Sequence, residues 1–128
     1  MRALIFCTTC RHSGEEKIGP DGLTGGERLA RHAEDALAAA GRDDIAVKRQ
    51  ECLWSCQRHC NVWLYDAARF SYLAGDFAPE RASAEAIIQW FDMHGASEAG
   101  WVAFRQWPQA MRGHFIARLP PALAVDQP

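Results

Sequence analysis

Glu51-Cys52-Leu53-Trp54-Ser55-Cys56-Gln57-Arg58-His59-Cys60 repeats cysteine at a spacing of four, and the only other cysteines, Cys7 and Cys10, stand far upstream as Cys-Thr-Thr-Cys. Clustered thiols in a reducing compartment bind metal or do catalysis more often than they form disulfides. An odd count of five also fits disulfide pairing poorly. The Cys52-x-x-x-Cys56 spacing is used by loops that hold a 2Fe–2S cluster, and Cys7 with Cys10 would complete four thiolate ligands. The same four could hold zinc tetrahedrally. Soft thiolates suit zinc, copper(I) and iron–sulfur alike, so the ligand type leaves the metal open. Cys60 is the surplus thiol: an alternative ligand, a ligand for transferring the metal, or a small buried hydrophobe.

The neighbours of these thiols have two readings each. His12 and His59 could be ligands or donate hydrogen bonds to ligands, or be ordinary loop histidines. Arg11, Arg49 and Arg58 would offset the negative charge of a thiolate-bound cluster, or be plain surface cations. Trp54, between two cysteines, could shield the site from water or anchor a partner. A thioredoxin-type redox pair at Cys7 and Cys10 would need a helix to begin at once and lower the thiol pKa. Gly14, Gly19, Pro20 and Gly22 put a loop there instead.

The elements that must position the thiols follow from apolar periodicity. Residues 2–6 form a short buried strand that ends at Cys7. Residues 11–23 are loop. A helix begins near Thr24, where Thr24-Gly25-Gly26-Glu27 has the capping-box pattern. Leu29, Ala33, Ala36, Leu37 and Ala40 recur along one helical face, and Gly41 closes the helix in a left-handed conformation. Residues 45–50 are a second strand, which a helical crossover makes parallel to the first. Both cysteine groups therefore fall at the carboxyl ends of neighbouring strands. A hairpin over residues 62–65 and 69–74 follows, joined at Asp66-Ala67-Ala68 without an Asn-Gly signal. A second helix covers residues 83–94, with Ile87, Trp90, Phe91 and His94 on one side and Gly95 at its end. Residues 100–104 and 107–112 read as a short strand or helical extension, and the tail from Pro120 as irregular.

At 128 residues, 48% hydrophobic and 23% charged, the chain has the length and composition of one globular domain able to bury a core without disulfides. A net charge of −2 supplies no general attraction for nucleic acid or anionic membrane. The apolar run at residues 3–6 is too short for a leader or a span, so the expectation is a cytoplasmic protein. No Ser-His-Asp arrangement, paired carboxylates or phosphate loop is present, which points to a carrier rather than an enzyme by itself.

Cys-Thr-Thr-Cys-Arg after a first strand, Glu-Cys-Leu-x-x-Cys-x-x-x-Cys before a later one, and the tail pieces Trp101–Arg105 and Ala117–Pro121 together resemble the bacterial "predicted metal-binding protein" family. That family is related to thioredoxin-like 2Fe–2S ferredoxins, and the resemblance covers nearly the whole chain. It implies an α/β thioredoxin-like domain over residues 1–128: β-α-β, then a β-hairpin and a helix, with a C-terminal extension from about residue 101. It implies Cys7, Cys10, Cys52 and Cys56 as ligands, with Cys60, where those ferredoxins commonly have proline, as an alternative to Cys10. Arg11, Arg58, His59 and Trp54 would surround them. The implied function is single-electron transfer to a partner redox or metallo-enzyme, in cobalamin-related metabolism. The rival is a protein that binds or delivers zinc, cobalt or copper through the same thiolates, with Cys60 and His59 as spare ligands. An exposed edge strand or Trp54 would support a homodimer.

Overall fold

The computed structural model describes residues 1–9, 18–53 and 59–121. Among them the elements run β1 (Arg2–Cys7), α1 (Gly25–Ala39), β2 (Ala46–Gln50), β3 (Val62–Asp66), β4 (Ser71–Ala74), α2 (Arg81–Ala96) and β5 (Phe115–Leu119), with single 3-10 turns at Phe104–Gln106 and Gln109–Met111. The strands form one sheet in the order β2-β1-β3-β4-β5. β1 pairs in parallel with β2, setting Cys7 opposite Gln50, and antiparallel with β3, setting Phe6 opposite Val62. The fold is thus mixed α/β, with the expected parallel pair at one edge. The C-terminal segment departs from the expected appendage: β5 extends the sheet antiparallel to β4. Its short Phe-Ile-Ala-Arg-Leu run follows two turns and breaks alternation with a bulge beside Ala74, so period-two patterning is weak there.

Local chemistry explains most boundaries. The Thr24 hydroxyl accepts the Glu27 N–H at 3.2 Å and caps α1. Glu27 does not close the other half of a capping box. Its carboxylate takes Arg31 at 3.1 Å and Arg49 at 2.8 Å, where charge-assisted bonds are stronger. Leu29, Ala33 and Leu37 are buried, whereas Ala40, expected on the same stripe, is exposed beyond the end of the helix. Gly41 has φ +64° and donates to Ala38 O, while Arg42 N reaches back to Leu37 O, a left-handed closure of the expected kind. The β3–β4 turn is set by Asp66, whose Oδ1 accepts the Ala68 N–H at 2.8 Å. A side chain thus mimics the backbone turn that an Asn-Gly pair would otherwise form.

Alternation along the strands points Leu4, Phe6, Val62, Leu64, Tyr72 and Ala74 into a core shared with Leu29 of α1 and Ile87, Trp90 and Phe91 of α2. α1 and α2 pack on each other, and α1 packs on β1 and β2. α2 runs past Gly95 to Ala96, because Gly95 serves close approach rather than termination. A Cβ there would lie 2.7 Å from the Arg2 guanidinium.

That guanidinium belongs to a buried polar network at the end of the sheet opposite Cys7. Arg2 donates to Asp66 Oδ2 at 2.9 Å, to Phe91 O at 2.7 Å and to His94 Nδ1 at 2.9 Å. Arg69 binds the same Asp66 oxygen at 3.0 Å. Burial pushes the Asp66 carboxyl up, but the Ala68 N–H, Arg2 and Arg69 together hold it below the usual carboxylate range. His94 Nε2 lies 2.6 Å from Phe70 O, so this nitrogen carries the proton and Nδ1 accepts from Arg2. The ring is therefore neutral. Burial holds its pKa below the ordinary 6.5, with the Arg2 and Arg69 cations acting in the same direction against the Phe70 carbonyl and Asp66.

Two outcomes follow for the fold. Because folded His94 resists a proton that the unfolded chain accepts, stability should hold above about pH 6.5 and fall as pH drops below it. Denaturant titrations across that range check this, and His94→Gln should flatten the slope. Gly100 has φ +80°, and a Cβ would lie 2.6 Å from His94 Nε2. Gly100→Ala should therefore cost more than about 1 kcal/mol, read as a lower unfolding midpoint.

Candidate metal centre

Strand directions bring three thiol-bearing segments to one end of the sheet. β1 and β2 end there and β3 begins there, so Cys7, Cys52 and Cys60 lie within two residues of paired strand ends. Backbone bonds fasten the segments together. Cys7 N donates to Asn61 O at 3.0 Å, and Thr8 N donates to Gln50 O at 2.9 Å. The Cys7 Sγ lies 3.6 Å from Glu51 O and 3.5 Å from Thr9 Oγ1, while the Thr9 hydroxyl donates to Glu51 O. Cys7 thus touches both the residue before Cys52 and the residue after Cys60.

The three thiols occupy different environments. Cys7 is buried and Cys52 half-buried. Cys60 is fully buried at 0% exposure and belongs to the core cluster with Val62 and Phe77. Burial pushes its thiol up to about 12, and the charges of Asp76 and Cys7 act in the same direction. Cys60 also has φ +51°, one of two non-glycine residues with positive φ among the described residues; the other is Asp76 at +64°. They are linked, because Asp76 N donates to His59 O at 2.7 Å. Left-handed backbone at such residues costs on the order of 1–3 kcal/mol each and persists where surrounding structure over-determines it. The segment that leads into β5 supports the residues flanking Asp76: Gly75 N donates to His114 O at 2.9 Å, and Phe77 stacks on the His114 ring at 4.3 Å.

Helix α1 also reaches this end. The Thr24 hydroxyl that caps it donates to Thr8 O at 2.6 Å. The amino end of the helix therefore lies against the residue that follows Cys7. An amino terminus favours nearby negative charge, including thiolate.

Among the flanking residues, His59 stands with Nδ1 3.6 Å from Asp76 Oδ1. Arg49 is turned away: it pairs with Glu27 at 2.8 Å and Glu34 at 2.8 Å on α1, so those carboxylates neutralise it. Cys10, Arg11, His12, Trp54, Cys56 and Arg58 lie outside the described residues. Among the described residues no three His, Cys, Asp or Glu side chains gather closely enough to hold a metal ion. Sequence reasoning gave Thr24 only as a helix cap, and it missed Thr9 and Asp76. Thr8-Thr9 between the cysteines was a legible signal for hydroxyl donors, while Asp76 is joined to His59 only by the hairpin.

A family model described as a protein of unknown function, DUF1636, matches residues 4–121. The chain belongs to that family. The match takes in both cysteine groups and the residues that form β5 here. No curated protein and no solved structure matches the chain.

The contrast between thiols gives a direct test. In metal-free, folded protein at about pH 8, Cys60 should be almost wholly protonated, because burial pushes its thiol up to about 12. Iodoacetamide should label Cys52 well before Cys60, as read by peptide mass spectrometry. Denaturant should abolish the difference.

Proposed function

We propose that this DUF1636 protein holds a 2Fe–2S cluster at the thiol end of its sheet and passes single electrons to a partner protein. Cys7, Cys10, Cys52 and Cys56 would be the ligands, on a thioredoxin-like arrangement of the β2-β1-β3-β4 strands. The observation that carries the reading is the double attachment of Cys7, to Glu51 on one side and Asn61 on the other. It draws cysteine segments more than forty residues apart in sequence onto one edge.

The donor chemistry fits such a group. Two described ligand candidates, Cys7 and Cys52, are thiols at a strand end, and thiolates suit iron–sulfur clusters. A bound cluster would supply one-electron redox chemistry. The chain's own contribution would be to hold the sulfurs and tune them: the Thr9 hydroxyl lies within hydrogen-bonding reach of the Cys7 sulfur, and the amino end of α1 faces the same segment. The amino end favours the anionic, ligating form, whereas the Thr9 hydroxyl donates to Glu51 O and would have to turn to the sulfur to do the same. Metal delivery, the rival expectation, relied on Cys60 as a transfer ligand. A fully buried thiol held in the core is poorly placed for handover.

Protein purified without oxygen should be brown, with about two irons and two acid-labile sulfides per chain. Cys52→Ser and Cys56→Ser should each lose most of the iron with the circular dichroism spectrum retained, while Cys60→Ala should keep it. A colourless protein with one tightly held zinc or cobalt would overturn the cluster reading.

A further inference from the structure

The charge of the chain is unevenly divided. Residues 101–121 carry Arg105, Arg112 and Arg118 and no acidic residue, whereas residues 1–100 carry 15 Asp and Glu against 11 Lys and Arg. The pairing of the arginines is divided in the same way. Every described arginine before residue 101 has a carboxylate partner: Arg2 and Arg69 on Asp66, Arg28 on Asp21, Arg31 and Arg49 on Glu27, Arg42 on Asp44 and Asp92, Arg81 on Glu85. None of the three later ones is ion-paired among the described residues. Two of them stand on aromatic rings instead. The Arg118 guanidinium lies 4.1 Å from the Trp101 ring centroid, and Arg112 lies 4.8 Å from that of Phe104. Trp101 and Phe104 are the most exposed aromatic side chains of the described chain, at 53% and 59%.

These side chains border a backbone edge. β5 is the last strand of the sheet, with no described strand beyond it, and Ala117, Arg118 and Leu119 are exposed along it. Beside it runs an open groove of about 300 Å³ lined by Trp101, Val102, Trp107, Phe115, Ile116 and Arg118. An unpaired edge offers backbone donors and acceptors, the groove offers a place for an apolar side chain, and a guanidinium offers its edge to a carboxylate.

We propose that β5 and the Trp101–Arg118 groove dock an extended segment of a partner protein in which acidic residues stand beside apolar ones. The segment adds as a strand to β5, seats an apolar side chain between Trp101 and Trp107, and presents carboxylates to Arg118, with Arg105 and Arg112 nearby. The occupant must be acidic because three cations here lack the counter-charge that every other described arginine has. A second copy of this chain fits less well. Antiparallel pairing of two five-residue β5 strands sets Ala117 against its own equivalent and Arg118 against Ile116, and β5 carries no carboxylate to meet either guanidinium. The proposal stands apart from the metal reading and uses none of the cysteines.

The test is selection of a displayed library of short random peptides on the intact chain, followed by titration of synthetic hits by tryptophan fluorescence. Enriched peptides should alternate apolar and acidic residues. R118E should weaken them by about tenfold or more and should prefer counterparts with Lys in place of Glu, a swap that separates charge recognition from misfolding. N-methylation of alternate peptide amides should abolish binding if the peptide pairs as a strand. Four results would each overturn the proposal: no enrichment on the wild-type chain, enrichment of basic or uncharged peptides, indifference to N-methylation, and equal binding to R118E. Two others reassign the face and overturn it too. Sedimentation as a dimer that Ile116→Pro dissociates would give it to a second copy. Binding seen only after removal of residues 122–128 would give it to the chain's own terminus, which carries Asp126.

Discussion

The double pairing of β1 is the constraint on which the rest depends. β1 is bonded in parallel to β2 and antiparallel to β3, with Leu4 opposite Val47 on one side and Leu64 on the other. A slip of one residue on either side would turn Leu4, Phe6, Val62 and Leu64 out of the core, since strand side chains alternate with period two. Burial of these residues is essentially complete, and replacing one with alanine would cost about 2–5 kcal/mol. The register is therefore fixed by the core. The position of Cys7 against Glu51 and Asn61 follows from that register and needs no bond of its own to the other thiols.

The two ends of the sheet are built from different chemistry. At the Arg2 end, a buried carboxylate, two guanidiniums and a neutral imidazole satisfy one another, and Tyr72 donates to Gly100 O at 2.8 Å. Such a network is stable only when complete, because an uncompensated buried charge costs several kcal/mol. At the Cys7 end the described polar groups include thiols, threonine hydroxyls, backbone and the His59–Asp76 pair, with left-handed residues at Cys60 and Asp76. Rigidity at one end and backbone strain at the other are what a scaffold holding a site at a strand terminus requires.

Much of this was legible in the sequence because local physics and tertiary packing agree. The apolar run of β1, the Thr24 cap, the Gly41 closure and the crossover from β1 to β2 are each written in adjacent residues. The convergence of Cys7 with the segment of Cys52 follows from that crossover, whereas that of Cys60 comes from the antiparallel pairing of β1 with β3. What escaped depends on contacts distant in sequence. Gly95 looks like a helix end and is instead the space taken by Arg2, more than ninety residues away. Arg49 looks like a counter-charge for the thiols and is instead neutralised by α1. β5 has too short and too interrupted a pattern to announce itself, and it exists because β4 offers it an edge.

Cys60 shows how far spacing alone can mislead. Cys52, Cys56 and Cys60 recur at an even interval, which invites one role for all. The interval is a property of the chain, whereas thiol chemistry is a property of the surroundings. Cys52 follows a strand end and keeps contact with water; Cys60 precedes β3 by two residues and falls inside the core. Desolvation then raises the cost of its thiolate, with Asp76 and Cys7 adding negative charge nearby. Only a cation bound against that sulfur would reverse the balance, so Cys60 is either a protonated core side chain or a ligand committed to a buried ion. Neither state leaves it as an accessible thiol working alongside Cys52.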